Sequence, residues 1–277
     1  AHDTRPVHHA APDPRAGAFT PWQPAPGFYA IGATVLQGPY APDSNFYAWF
    51  RSREPVARLG HALWVYEVKS SASNTPFTYA VLCAETGLSA EQVRANLGQP
   101  TLRILQPDCS TAEVTAQGPG LLIHAADSKP VGTPDFVLRA AGGKEAVAIE
   151  RLEVVPTPAR PYPMSTAGPL DFLGYDVGIT PDHAGIEVRA TWRVKERPER
   201  PLSLMAHLVA PDGSTASVGD GMGFPIDQWE PGDVLIQRHT LPGALAEGSA
   251  LRFGGYWLDT MERWTIEGGN DYWEVKP

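Results

Sequence analysis

The sequence predicts an α+β N-terminal domain followed by an all-β antiparallel sandwich of jelly-roll or Ig-like type. Three observations lead there. β-branched and aromatic runs recur along all 277 residues, helix signals are confined to the first half, and 28 Pro and 27 Gly divide the runs into short pieces. The expected layout is an extended Pro-rich arm over 1–26, a small α+β domain over 27–155, a Pro-rich linker over 156–163 and a β-sandwich over 164–277.

The arm is rich in Pro, Ala and His, has no periodicity, and offers Phe19 and Trp22 as surface anchors. FYAIGATVLQG then reads as a strand ending at Gly38-Pro39. In DSNFYAWFRSREP, Asp43 or Ser44 is a candidate N-cap, Phe46, Trp49 and Phe50 share one helical face, and Pro55 stops the helix. HALWVYEV and FTYAVLC are strands. Ser89 with Gln92 forms a capping box opening SAEQVRANLG, which Gly98 closes. TLRILQPDCS, LLIHAA, DFVLRAA and AVAIERLEVV follow as strands, and PTPARPYP, with four prolines in eight positions, is a semi-rigid polyproline spacer.

Beyond the spacer the helix signals vanish. LGYDVGI, GIEVRATWRV, LSLMAHLVA, TASVGD, DVLIQRHTL, ALRFGGYWL and RWTIEG alternate at the spacing of an antiparallel sandwich, and Asp212-Gly213 marks a hairpin turn.

The net charge is −9, and residues 161–277 hold most of it, with 9 Lys+Arg against 17 Asp+Glu. Such a surface repels phosphate backbones, so no nucleic-acid partner is expected. No apolar run reaches the ~20 residues of a spanning helix, so no transmembrane segment is expected in this chain. The start at Ala1, with neither Met nor a signal-peptide pattern, suggests a processed or truncated chain. Cys83 and Cys109 lack zinc-ligand spacing, which leaves one disulfide or two free thiols.

Chemistry-bearing motifs are few. GxxxxGK[ST] and GxSxG are absent, and GDGMGF at 219–224 opens no helix, so it reads as a glycine-rich connection. His61, His124, His207 and His239 lie in strand-like segments, where an imidazole is structural. Asp212, Asp220, Asp227, Glu230 and Asp233 fall in nearby loops; no cofactor is expected, with calcium the one ion such loops suggest, although their spacing departs from the EF-hand pattern. A carboxylate pair of glycosidase type is defined by spatial separation, which a sequence does not display. Trp229, Tyr256, Trp257 and Trp264 are the candidate sugar-stacking rings, with Asp220, Asp259 and Arg263 as polar neighbours. Strand alternation places Tyr256 and Trp257 on opposite faces.

The run PGFYAIGATVLQGPYAPDSNFYAWFRSREPVARLGHALWVYEV, residues 26–68, resembles the C-terminal extracytoplasmic region of bacterial membrane glycosyltransferases of the protein-mannosyltransferase type, which use polyprenyl-phosphate sugars. LSLMAHLVAPDGSTASVGDGMGFPIDQWEPGDVLIQRHTLP with GGYWLDTMERW is similar to a β-sandwich module appended to such transferases in thermophilic, filamentous phototroph-type bacteria. The family's catalytic acids lie in its membrane body, so the resemblance carries no catalytic residue to this chain. It implies a clipped C-terminal portion, or a paralogue that kept only the soluble part, associated with the cell envelope outside the cytoplasm. The expected function is a non-catalytic module that binds saccharide or docks on a membrane protein complex. The alternatives are an accessory or structural subunit of an envelope assembly and, third, a carboxylate-dependent glycan hydrolase.

Overall fold

A computed structural model describes residues 7–9, 20–37, 45–69, 76–128, 132–140 and 144–276. The chain is mostly β, 44% strand against 9% helical, with several antiparallel sheets. Among the described residues no helix is long and apolar enough to cross a membrane. The chain divides into two compact units, Ala1–Ile104 with Gly118–Glu153, and Leu105–Gln117 with Val154–Pro277.

In the first unit, β1 (Val7–His9), β2 (Gly27–Gly32), β3 (Ala57–Leu59) and β4 (Leu63–Val68) form a sheet in the order β1-β2-β4-β3. Part of the expected arm is therefore a strand, since β1 runs parallel to β2 with Val7 opposite Phe28. The strand expected over FYAIGATVLQG stops at Gly32, and Ala33–Leu36 coils into one helical turn, α1. The following helix is a single turn too, α2 (Ala48–Arg51). Its expected caps, Asp43 and Ser44, lie outside the described residues. The aromatic spacing still works: Phe50 is fully buried, 5.0 Å from Tyr29 and 5.2 Å from Tyr66 between ring centroids.

A second sheet orders β6 (Arg103–Leu105), β5 (Tyr79–Leu82), β8 (Gly120–Ala125), β10 (Glu145–Leu152) and β9 (Phe136–Arg139) as β6-β5-β8-β10-β9. α3 (Ala90–Leu97) places Val93 and Leu97 in the same buried cluster as Leu121, Ile123 and Ile149 of this sheet. Its termini follow the sequence expectation: Ser89 accepts from the Gln92 N–H, the Gln92 side chain accepts from the Ser89 N–H, and Gly98 closes the helix at φ 63°. On the opposite face His124 is buried, with Nε2 2.9 Å from Glu150 Oε1, while Glu150 Oε2 accepts from the Gly132 N–H at 2.7 Å.

The second unit contains two antiparallel sheets. The first runs β11 (Arg160–Met164), β12 (Leu170–Ile179), β13 (Gly185–Val194), β16 (Val234–Pro242) and β7 (Ala112–Thr115). The other runs β15 (Thr215–Val218), β14 (Leu202–Val209), β17 (Ala250–Trp257) and β18 (Trp273–Val275). Aromatic rings from both sheets meet. Phe172 lies 5.1 Å from Phe253 and 4.7 Å from Trp273, and Trp192 lies 5.6 Å from Trp273. Asp212-Gly213 makes the expected hairpin between β14 and β15: Gly213 sits at φ 85°, and Asp212 Oδ1 accepts from Ser214 N at 2.9 Å.

Three expectations need correction. Residues 105–117 belong with the second unit rather than the first, because β7 pairs with β16, Ala112 opposite Gln237. The spacer is partly strand: Arg160–Met164 pairs with β12 at the sheet edge, where prolines are tolerated because no partner needs their missing N–H. RWTIEG forms only isolated bridges, Tyr256 to Arg263 and Thr166 to Ile266. Neither cysteine is free; Cys83 and Cys109 are both disulfide-bonded.

Replacing Ser89 with Ala removes the capping box of α3 and is expected to cost about 1 kcal/mol of stability, read as a lower urea midpoint at unchanged slope. An unchanged midpoint would show that the cap contributes nothing to this helix.

Candidate ligand-binding site

The segment Gly219-Asp-Gly-Met-Gly-Phe224 builds the most distinctive surface of the second unit. Beyond β15 the chain continues along β14. Gly219 N donates to Ala206 O at 2.9 Å, and Leu204 and Gly221 exchange hydrogen bonds of 3.1 and 3.0 Å. A Cβ at Gly219 would fall 2.9 Å from Leu241 Cδ2, and one at Gly223 would fall 2.4 Å from Thr111 Oγ1. Gly223 therefore needs to be glycine for the backbone to lie this close to its neighbours, while a Cβ at Gly219 would have to displace the end of the Leu241 side chain. At Met222 the chain turns away from β14, held by Gly223 N donating to Gln237 Oε1 at 2.8 Å and by Asp108 N donating to Gly223 O at 2.7 Å. The divergence leaves an open groove of about 560 Å³ between residues 201–203 and 221–226, with Asp108 and Leu258 at its rim.

Behind the groove wall runs a chain of polar side chains. Asp220 Oδ1 accepts from Ala206 N at 3.2 Å and lies 3.0 Å from His207 Nε2, and Tyr256 OH donates to Asp220 Oδ2 at 3.2 Å. Tyr256 is hydrogen-bonded in turn to Ser203, its cross-strand partner and part of the groove wall. Burial alone would raise the Asp220 pKa; the His207 ring beside it, with Ala206 N and Tyr256, outweighs it and holds the carboxyl below its ordinary value. Tyr256 shifts upward, chiefly through burial.

His239 lies on the other side of Gly219, 1% exposed, with Nδ1 2.5 Å from Gly219 O. A carbonyl only accepts, so Nδ1 carries the proton and Nε2 is the bare nitrogen. Burial lowers its pKa to about 4, keeping the ring neutral.

The expected stacking platform is not assembled. Trp229 is 1% exposed, stacked on Phe224 beneath the groove wall, with Nε1 donating to Phe224 O at 3.2 Å. Trp264 is 3% exposed in a slot between two glycines, where a Cβ at Gly168 or Gly255 would come within 2.1 or 2.3 Å of its ring. Trp257 is half-buried, with Trp264 at 5.7 Å and the Arg200 guanidinium 4.8 Å from its ring centre. Asp259 is exposed but taken up by Arg200 through bonds of 3.0 and 2.7 Å, which hold its carboxyl below the usual range. Arg263 pairs with Asp271 at 3.2 Å. Of the seven expected residues, Tyr256 and Asp220 meet behind the groove wall, while Trp257 ends β17 and Asp259, Arg263 and Trp264 follow it in the chain. As expected from alternation, Tyr256 and Trp257 point to opposite faces: one reaches Asp220, the other Trp264.

Ser203, Met222 and Asp108 escaped the sequence reading, and His207 was assigned a purely structural role. The alternate glycines at 219, 221 and 223 were the available signal. The acidic loops do not converge on a calcium site: Asp212 holds Ser214, Asp233 Oδ2 accepts from Glu230 N, and among the described residues no three metal-ligating side chains gather.

No protein-family model, curated protein or solved structure matches this chain.

Two measurements check this geometry. Replacing Gly255 with Ala drives a methyl into Trp264 and is expected to cost roughly 1–3 kcal/mol in denaturant unfolding. His239 has a folded pKa below its unfolded value, so its contribution is complete above pH ~6.5 and is lost as pH falls toward about 4. His239→Gln is expected to flatten the stability profile in that window, and an unaltered slope would contradict a buried neutral ring.

Proposed function

We propose that this chain is a non-catalytic extracytoplasmic module, similar to the soluble tail of a membrane glycosyltransferase, that binds saccharide in the groove between β14 and the glycine segment. Its architecture is read as an α+β unit followed by a β-sandwich. The contacts of Phe172 and Trp192 with Phe253 and Trp273 across two antiparallel sheets support the second part, and α3 packed on strand residues supports the first.

The observation that carries the binding reading is the groove itself. Its volume of about 560 Å³ lies within the range of small-molecule sites, and its lining is apolar with few polar groups. The electrostatics support a non-catalytic role. A glycosidase general acid needs a carboxyl whose pKa is raised, whereas Asp220 and Asp108 are both held low, the latter chiefly by the Ser110 hydroxyl. Two disulfide-bonded cysteines suit an oxidising compartment, in keeping with a place at the cell envelope.

Docking on a membrane protein complex or a larger envelope assembly is the second reading. It is favoured by β3, an edge strand beside which Val56 and Leu59 stand 57% and 60% exposed.

Titration calorimetry of the full chain against neutral oligosaccharides tests the first reading. Binding is expected to weaken at least about tenfold in Met222→Glu, which places a charge in an apolar groove, with the melting temperature preserved. Failure of every glycan to bind a folded chain, alongside co-sedimentation with membrane fractions, would replace it with the docking reading.

A further inference from the structure

Along an antiparallel strand, successive residues turn their peptide groups alternately to the two neighbours. On β14, Leu204 exchanges both of its hydrogen bonds with Gly221, and Ala206 O accepts from Gly219. Leu202 is two residues before Leu204, so its N–H and C=O face the same side, where the chain has already turned away at Met222. The opposite neighbour does not serve it, because Trp257 N donates to Glu262 O and Trp257 O accepts from Met261 N. Among the described residues no hydrogen bond reaches the Leu202 peptide groups on the groove side. Leu202 lines the groove yet is only 2% exposed.

A buried peptide N–H and C=O without a protein partner is rare, because each lost bond costs the desolvation of the group. A ligand that offers an acceptor and a donor together completes the ladder as Gly221 does for Leu204. Secondary amides have that pair. The free edge is one residue long: β14 begins at Leu202, and residue 200, the next to face the groove by alternation, lies in a bend outside the strand. An incoming peptide strand would therefore gain a single residue's pairing, whereas an acetamido group needs no more than that. Met222 and Leu258 supply apolar surface for its methyl and for sugar C–H groups. At the rim Asp108, held ionised by Ser110, accepts hydroxyl donors and repels anions.

We propose that the groove takes an N-acetylated, uncharged sugar, its acetamido group paired to the peptide of Leu202. This rests on the saccharide-binding reading and narrows it.

The test compares chitotriose, cellotriose and N-acetyl-leucine methylamide against the full chain, by calorimetry and by the ¹⁵N shift of the Leu202 amide. Chitotriose is expected to bind at least about tenfold more tightly than cellotriose, as befits a site built around one hydrogen-bonding group, and to move the Leu202 resonance. Leu258→Asp, at an exposed rim position, is expected to weaken chitotriose binding without unfolding the chain. Equal binding of the two sugars, or an unmoved Leu202 amide, overturns the acetamido assignment and leaves a saccharide groove. Binding of neither sugar overturns both readings. Tighter binding of the peptide amide overturns the sugar assignment in favour of a protein strand.

Discussion

A backbone that lies too close to its neighbours for side chains is the constraint on which the second unit's surface rests. Gly219 and Gly223 run against Leu241, Thr240, Thr111 and Ala112 at distances that leave little or no room for a Cβ. That approach aims Asp220 at His207 and Tyr256, gives His239 its carbonyl partner, and sets the turn at Met222 from which the groove opens. Side chains at these two positions would push the segment outward and undo all three features together.

Charge in this region is arranged to stay fixed. The Asp220 carboxylate is held ionised by its donors, and the His239 ring is held neutral by burial. Neither group is poised to exchange a proton near neutral pH. The nearby aromatic rings follow the same logic: Trp264 between Gly168 and Gly255, and Trp229 against Phe224, are spent on cohesion rather than on display.

Local signals in the sequence were legible where the physics is local. α3 could be placed from Ser89, Gln92 and Gly98 because a capping box and a left-handed glycine are decided within one turn. GIEVRATWRV matched β13 residue for residue because one buried face imposes alternation. The fate of AEVT was illegible: four residues carry no information about which sheet will accept them, and Gln237 is roughly 125 positions away. The aromatic platform failed for a related reason. Residue type shows that Trp264 is large and apolar, but one of the two glycines that bury it, Gly168, lies roughly a hundred positions away and the other faces it only once β17 has formed. Asp220 and Tyr256 were found by composition, while their link through Ser203 to a groove wall exists only once β14 and β17 are paired.

The placement of β7 also bears on the order of events during synthesis. Residues 112–115 leave the ribosome long before 234–237, the strand they pair with, and unit-one residues 118–153 follow directly behind them. The nascent chain must therefore hold an unpaired edge segment in waiting while more than a hundred further residues are made. Such a topology closes late and through distant contacts, which predisposes it to slow maturation and to capture by chaperones along the way.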